Sequence, residues 1–248
     1  MAPLNGSNQW TNATNSHNAY PSVRMVAVVN YLNGILPNKN DTGFATGIIN
    51  LQKAGIIVLG YVFTGYDCTN SPDKCTLGRT APTLANVEGN MSRYQSFYHV
   101  NGTFFDEMSS TANGDNITYY GKLNNYSKYY LNETFTVGNP GDEPDSGFSS
   151  TFDNLVVWEQ NATLPSSSDF ATWNTNFNKN LFSVLVYNET SVHLNSTYYN
   201  STAKHTGYLY FTDDGGINGD DISPDEHHNP WDQISTYLNS TLSNLIHN

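Results

Sequence analysis

The chain has 248 residues, a formal net charge of −12 and only 13% charged residues, against about 25% in an average soluble domain. Lys and Arg together number 10, which argues against a nucleic-acid partner, since phosphate binding needs basic clusters. No apolar run approaches the roughly 20 residues that span a bilayer, and 38% hydrophobic residues are enough for one large core.

The N-terminal stretch MAPLNGSNQW has no basic region followed by an apolar one. Either the protein is intracellular or a signal has been removed and the sequence is trimmed. Within it, APLN (2–5) reads as a strand cut at its front. VRMVAVVN (23–30) and GIIVLGYVFT (55–64) are β-branched and apolar on both faces, as covered parallel strands are. Helical spacing between them runs from Thr42 to Ala54, with Asp41 or Thr42 as N-cap. Next comes DCTNSPDKC, where Cys68 and Cys75 fit a small disulfide loop; two cysteines alone do not build a zinc site.

The alternation continues to the end of the chain. A helix is expected over Asn86–Tyr98, a strand in GTFFDE (102–107), a helix over Asn116–Tyr130, and strands in TFTVGN (134–139) and NLVVWE (154–159). A helix over Ser167–Asn178 follows, with Ser167 or Asp169 as cap, then a strand in LFSVLVY (181–187), a helix over Val192–Lys204, a strand in GYLYFTDD (207–214) and a helix over Trp231–Ile246. No composition break or low-complexity linker divides the chain, so residues 1–248 are expected to form one domain. Seven strands, and an eighth in APLN, alternating with helices in about 250 residues, give the count of a (β/α)8 TIM-type barrel. A doubly wound sheet is the alternative, but no G-x-G-x-x-G follows a strand.

Polar residues sit where such a barrel would use them. Asn30, Thr64, Asp106 with Glu107, Asn139, Glu159 and Asp213 each end a strand. Carboxylates ending apolar strands beside Tyr and Trp are the parts of a glycosidase: one acid protonates the leaving oxygen, the other activates water or attacks the sugar carbon. Asp106 and Glu107 cannot both face one way from a regular strand, because side chains alternate. Both reach a cleft only if the strand ends or bulges there. Tyr61, Tyr66, Trp158 and Tyr187 lie at or near strand ends and could stack on sugar rings, although such aromatics are more often core.

Thirteen of the 34 asparagines lie in N-x-S/T sequons: Asn5, Asn12, Asn40, Asn90, Asn101, Asn116, Asn125, Asn132, Asn161, Asn188, Asn195, Asn200 and Asn239. Chance gives about seven, so the excess points to an N-glycosylated protein that is secreted or at the cell surface, a setting that suits a disulfide. TDDGGINGDDISPDEHH (212–228) resembles a calcium loop only loosely: from Asp214, Gly216 fills a ligand position and Asp225 stands where Glu is expected. No metal site, cofactor or nucleophilic serine elbow is expected.

In order along the chain, VAVVNYLNG, AGIIVLGYVFTGY, VNGTFFDE, VGNPG, VVWE and YLYFTDD resemble the spherulin-4 family (spherulation-specific family 4), to which glycoside hydrolase family 135 belongs. The resemblance runs from about Pro3 to Leu245. It implies a (β/α)8 fold and secreted hydrolysis of galactosamine-containing exopolysaccharide at α-1,4-linked N-acetylgalactosamine. By motif, the essential acids fall on Asp106, Glu107 and Glu159. Asn139, Tyr61, Thr64 and Asp213 match other positions at the mouth. The family's NP-x-NGPG is NYLNGIL here, with Tyr31 in place of the proline, so Asn30 and Asn33 match less well. An alternative keeps the barrel without catalysis, as a heavily glycosylated surface or filament protein that self-assembles; a lectin-like binder is a third reading.

Overall fold

The computed structural model describes residues 9–67, 82–170, 176–215 and 229–246. Asn5, the APLN segment, Cys68, Cys75 and residues 216–228 of the acidic stretch lie outside the described residues. The chain divides into two compact units, one from Met25–Val157 and one from the described parts of 5–24 and 158–248.

All seven expected strands are present: β1 Val26–Val29, β2 Ile57–Phe63, β3 Gly102–Asp106, β4 Phe135–Gly138, β5 Asn154–Asn161, β6 Phe182–Tyr187 and β7 Tyr208–Phe211. They are hydrogen-bonded in chain order, and the ladders β1–β2, β2–β3, β3–β4, β4–β5 and β6–β7 are parallel. The fold is therefore α/β. No described helix is long and apolar enough to cross a membrane.

In the first unit, register sorts the side chains. Gly60 pairs with Thr103, Tyr61 with Phe104, and Phe105 with Gly138. Paired residues share a face and neighbours alternate. Gly60, Thr103, Phe105 and Gly138 therefore look one way; Tyr61, Phe104 and Asp106 look the other. Helices cover the first face. A Cβ at Gly60 would lie 2.5 Å from the ring of Tyr94, and one at Gly138 would lie 2.7 Å from Met108 Sδ and the Phe152 ring. Both glycines are the condition for that close packing.

The covering helices are α2 (Thr42–Lys53), α3 (Leu84–Tyr98) and α4 (Gly114–Asn125), the last continued by a π turn at Tyr126–Tyr130. Each starts at a side-chain cap: Asp41 accepts from Gly43 N and Phe44 N, Thr83 from Asn86 N, and Asn113 from Asp115 N and Asn116 N. Phe44, Ile48, Val87, Met91, Tyr94, Tyr120 and Leu123 are among their fully buried contributions.

The second unit departs further from expectation. Helix α1 (Gln9–Ala19) was not legible, because it buries Ala13, Ser16 and His17 instead of an apolar stripe. No helix starts at Ser167: residues 167–170 form turns, closed by Asp169 Oδ2 accepting from Ser166 N and Oγ, both at 2.7 Å. Those bonds hold the Asp169 carboxyl below the usual range. The expected Val192–Lys204 helix is α5, Ser196–Thr202, shortened because Asn195 turns its side chain into the N-cap. Only α6, Leu238–Leu245, forms within Trp231–Ile246. The amides ahead of it are bound from elsewhere: Gln233 N by Asp214, Ile234 N by Gln9, Ser235 N by Tyr210 Oη and Thr236 N by Asp213. Tertiary acceptors have displaced the helical ones.

Glu133 stands out in the first unit. It is 4% exposed, and its Oε2 accepts from Thr103 Oγ1 at 2.7 Å and Ser127 Oγ at 2.5 Å, while its buried Oε1 has no partner. Burial raises its pKa, and the Ser127 and Thr103 bonds only partly oppose this. A carboxyl whose folded pKa is raised contributes most below its unfolded pKa, and that contribution is lost as pH rises through the folded value. The difference in melting temperature between Glu133→Gln and the parent should therefore grow more positive from the ordinary carboxylate range upward. A melting series across pH reads this directly; a flat difference contradicts it.

Candidate active site

Asp106 is the last residue of β3, on the face shared with Tyr61 and Phe104. Tyr61 stands one rung earlier on β2, its ring stacked at 6.3 Å and 20° to Phe104. It leans along the strand to donate from Oη to Asp106 Oδ2 at 2.7 Å. Asn139 follows the end of β4 and donates from Nδ2 to Asp106 Oδ1 at 2.8 Å. Asn139 is itself 3% exposed and fixed through its backbone: its N donates to Phe105 O and its O accepts from Met108 N. Each Asp106 oxygen thus accepts from a neutral donor, a pattern that suits an ionised, oriented carboxylate.

Glu107 resolves the alternation problem. The strand stops at Asp106, and Glu107 takes φ of 52°, in the left-handed region. For a non-glycine residue this costs about 1–2 kcal/mol. Thr64 holds the turn. Its Oγ1 lies 3.0 Å from Asp106 O, 2.9 Å from Glu107 O and 3.1 Å from Tyr120 Oη, and its backbone N donates to Asp106 O at 2.8 Å. Tyr66, at φ of 51°, donates its N to Glu107 O. Tyr120, fully buried on α4, also accepts from Ser109 N at 2.8 Å. Strain of this kind persists only where surrounding bonds over-determine it.

The structure sorts the expected site residues by what they touch. Asp106, Tyr61 and Asn139 meet directly, and Glu107 is half-buried beside them in sequence. Thr64 is 1% exposed, so it does not contact a substrate; it positions the strand end. Asn139 likewise acts through Asp106. Asn30 turns its Oδ1 onto Gly34 N at 3.1 Å, closing a loop where a Cβ at Gly34, whose φ is +77°, would lie 3.1 Å from Tyr61 O and 3.2 Å from its ring. Tyr120 is the residue that sequence reasoning passed over: it sits mid-helix, and its hydroxyl gives no sequence signal.

Four expected residues belong to the second unit. Glu159 is half-buried on β5. Trp158 donates its Nε1 to Thr163 O at 2.9 Å. Asp213 is exposed and gives both oxygens to Thr236, to its N at 2.9 Å and to its hydroxyl. That is a tie to the segment before α6, which accounts for Asp213 without a ligand. Tyr187 packs edge-on against Trp231 at 5.5 Å.

One expected sequon is corrected. Asn116 is 3% exposed, and its Nδ2 donates to both Ser109 Oγ at 2.9 Å and Thr111 O at 2.8 Å. A glycan needs that nitrogen in solvent, so Asn116 is not an acceptor in this fold. Of the twelve described sequon asparagines, nine are exposed, Asn90 and Asn101 are half-buried, and Asn116 is buried.

The model of the family described as spherulation-specific family 4 matches residues 1–244. Spherulin-4 of Physarum polycephalum is 27% identical over 165 residues, 66% of this chain and 44% of that protein, so the match spans less than half of the relative's length. The crystal structure of Aspergillus clavatus Sph3, in complex with GalNAc, superposes with a TM-score of 0.74 at 18% identity, covering 96% of this chain and 91% of that one. At that identity the likeness concerns the fold.

Two substitutions test the turn and should act with opposite sign. Thr64→Val removes the hydroxyl's bonds at a buried site and should cost about 2 kcal/mol, lowering the melting temperature by about 4–8 °C. Glu107→Gly relieves the left-handed strain, partly offset by the freedom glycine has when unfolded, and should raise the melting temperature by about 2 °C. Thermal unfolding of both variants is the measurement. A loss of stability in Glu107→Gly would contradict the strain argument.

Proposed function

The chain belongs to the spherulation-specific family 4, and from that premise we propose that it is an exported glycoside hydrolase. Its substrate is galactosamine-containing exopolysaccharide, cut at α-1,4-linked N-acetylgalactosamine. The observation that carries this reading is Asp106, clamped by Tyr61 and Asn139 at a strand end that continues into a strained Glu107. Strain and a donor-clamped carboxylate at one point are characteristic of functional sites. The GalNAc bound by Sph3 of the related fold supports the amino-sugar class. A complete (β/α)8 barrel, with the N-terminal segment as its eighth strand, is part of the same proposal.

In the proposed reaction Asp106 stays ionised and stabilises positive charge developing at the anomeric carbon. Its two donors fix the carboxylate before the sugar arrives, so little reorganisation is needed. Glu107 and Glu159 supply the acid and base functions: one protonates the leaving oxygen, the other serves water or the sugar carbon. Glu159 is carried into this role by the likeness of its VVWE motif alone. Half-buried aromatics on β2 and β5, Tyr61 and Trp158, are the proposed stacking partners for sugar rings, with Tyr66 beside the turn. Secretion and a Cys68–Cys75 disulfide complete the reading.

A second reading, a glycosylated surface protein without turnover that assembles with itself, draws on the nine exposed sequon asparagines. One experiment separates the two. Product release from α-1,4-linked N-acetylgalactosamine oligomers and from partly deacetylated polymer is measured for the parent, Asp106→Asn, Glu107→Gln, Glu159→Gln and Tyr61→Phe. The hydrolase reading expects cleavage by the parent, losses of about 10²-fold or more in the three acid variants, and a smaller loss of kcat in Tyr61→Phe. A folded parent that cleaves neither polymer overturns it and favours the structural protein.

A further inference from the structure

Two tyrosines of the first unit are exposed to a degree that packing does not explain. Tyr129 is 82% and Tyr130 78% exposed, side by side in the π turn Tyr126–Tyr130. They are not on a loose loop. Tyr130 stacks on Tyr126 at 5.3 Å and 24°, and Tyr126 Oη is 2.9 Å from Ser92 Oγ on α3. The turn closes with Leu131 N donating to Tyr126 O and Glu133 N to Ser127 O, and Gln95 Nε2 donates to Leu131 O. Large aromatic side chains exposed on an ordered turn mark a surface that something covers.

The residue between those closing bonds is Asn132. It is exposed, adopts φ of 56° as the left-handed residue that ends the helix, and begins the sequon Asn132-Glu133-Thr134. Tyr130 and Tyr129 stand two and three positions ahead of it. Other sequons lack this arrangement. Tyr98, three ahead of Asn101, is 2% exposed. Tyr198, two ahead of Asn200, is half-buried and donates to Pro165 O, and Asn200 lies inside α5. Trp158, three ahead of Asn161, has its indole N–H bound to Thr163 O in an extended strand.

We propose that Asn132 carries an N-linked glycan whose first N-acetylglucosamine lies on Tyr129 and Tyr130, completing the surface of the first unit. The apolar C–H face of a pyranose and an aromatic ring are complementary, and tyrosine suits a surface wet on one side. The left-handed φ of Asn132 turns the chain two and three residues after the two rings. In the transfer, a bond forms between Asn132 Nδ2 and C1 of the sugar. The bond from that carbon to the pyrophosphate of a polyprenyl-linked oligosaccharide donor breaks. Nδ2 gives up one proton, and the lipid pyrophosphate leaves. The inference does not depend on hydrolysis of any polymer.

The test is a double-variant cycle on the full chain, expressed with a supplied secretion signal in a host that N-glycosylates, so that the chain's own export route does not enter. Glycopeptide mapping reads occupancy at Asn132, and glycans are then trimmed to a single N-acetylglucosamine. The trimmed parent should melt about 2–4 °C above trimmed Asn132→Gln. In the background Tyr129→Ala with Tyr130→Ala, the same comparison should show no difference. An empty Asn132 overturns the proposal. So does an equal difference in both backgrounds, or none in either.

Discussion

The first unit turns on a single hydroxyl. Thr64 sits within hydrogen-bond reach of the carbonyls of Asp106 and Glu107 and of the Tyr120 hydroxyl. This joins the end of β2, the end of β3 and the middle of α4. Together with the Tyr66 amide on Glu107 O, that knot keeps Glu107 in a backbone region that a glutamate avoids. With it, two consecutive acids leave one strand in a way that a regular strand forbids. The acids are the visible chemistry, but the buried threonine decides where they are.

Register does the rest. Because β2, β3 and β4 run parallel and in chain order, Tyr61, Asp106 and Asn139 come to one face by alternation alone, and the three side chains need only lean along their strands to meet. The opposite face is free for helices. Gly60 and Gly138 let Tyr94 and Phe152 close on it, and Glu133 sits there with one oxygen satisfied and the other not. In the first unit, one face of the sheet carries the candidate chemistry; the other carries the helices packed on Gly60 and Gly138.

The surface is built from Asn, Ser, Thr and Tyr because charged residues are few. That has two consequences. Amide and hydroxyl side chains compete with backbone acceptors, so helices in the second unit start late, as after Asn195 and after Ile234 and Ser235. The same residues supply sequons in number, and only their placement separates a solvent-facing asparagine such as Asn132 from a bracing one such as Asn116.

What the sequence determined by itself was periodic or chemical. Runs of β-branched and aromatic residues placed all seven strands to within three residues at either end. Asp41 marked a helix start, and FFDE marked a carboxylate pair at a strand end. These are local properties, written within a few residues of where they act. The tertiary structure alone decided the left-handed turn at Glu107, the burial of Thr64 and Asn116, and the loss of helix over Trp231–Tyr237. All but Asn116, whose partners Ser109 and Thr111 are near in sequence, depend on a distant one: Thr64 on Tyr120 and the end of β3, Ser235 on the Tyr210 hydroxyl, Ile234 on Gln9. A hydrogen bond that spans tens of residues leaves no periodic trace along the chain, because the residues that make it are neighbours only once the strands have paired.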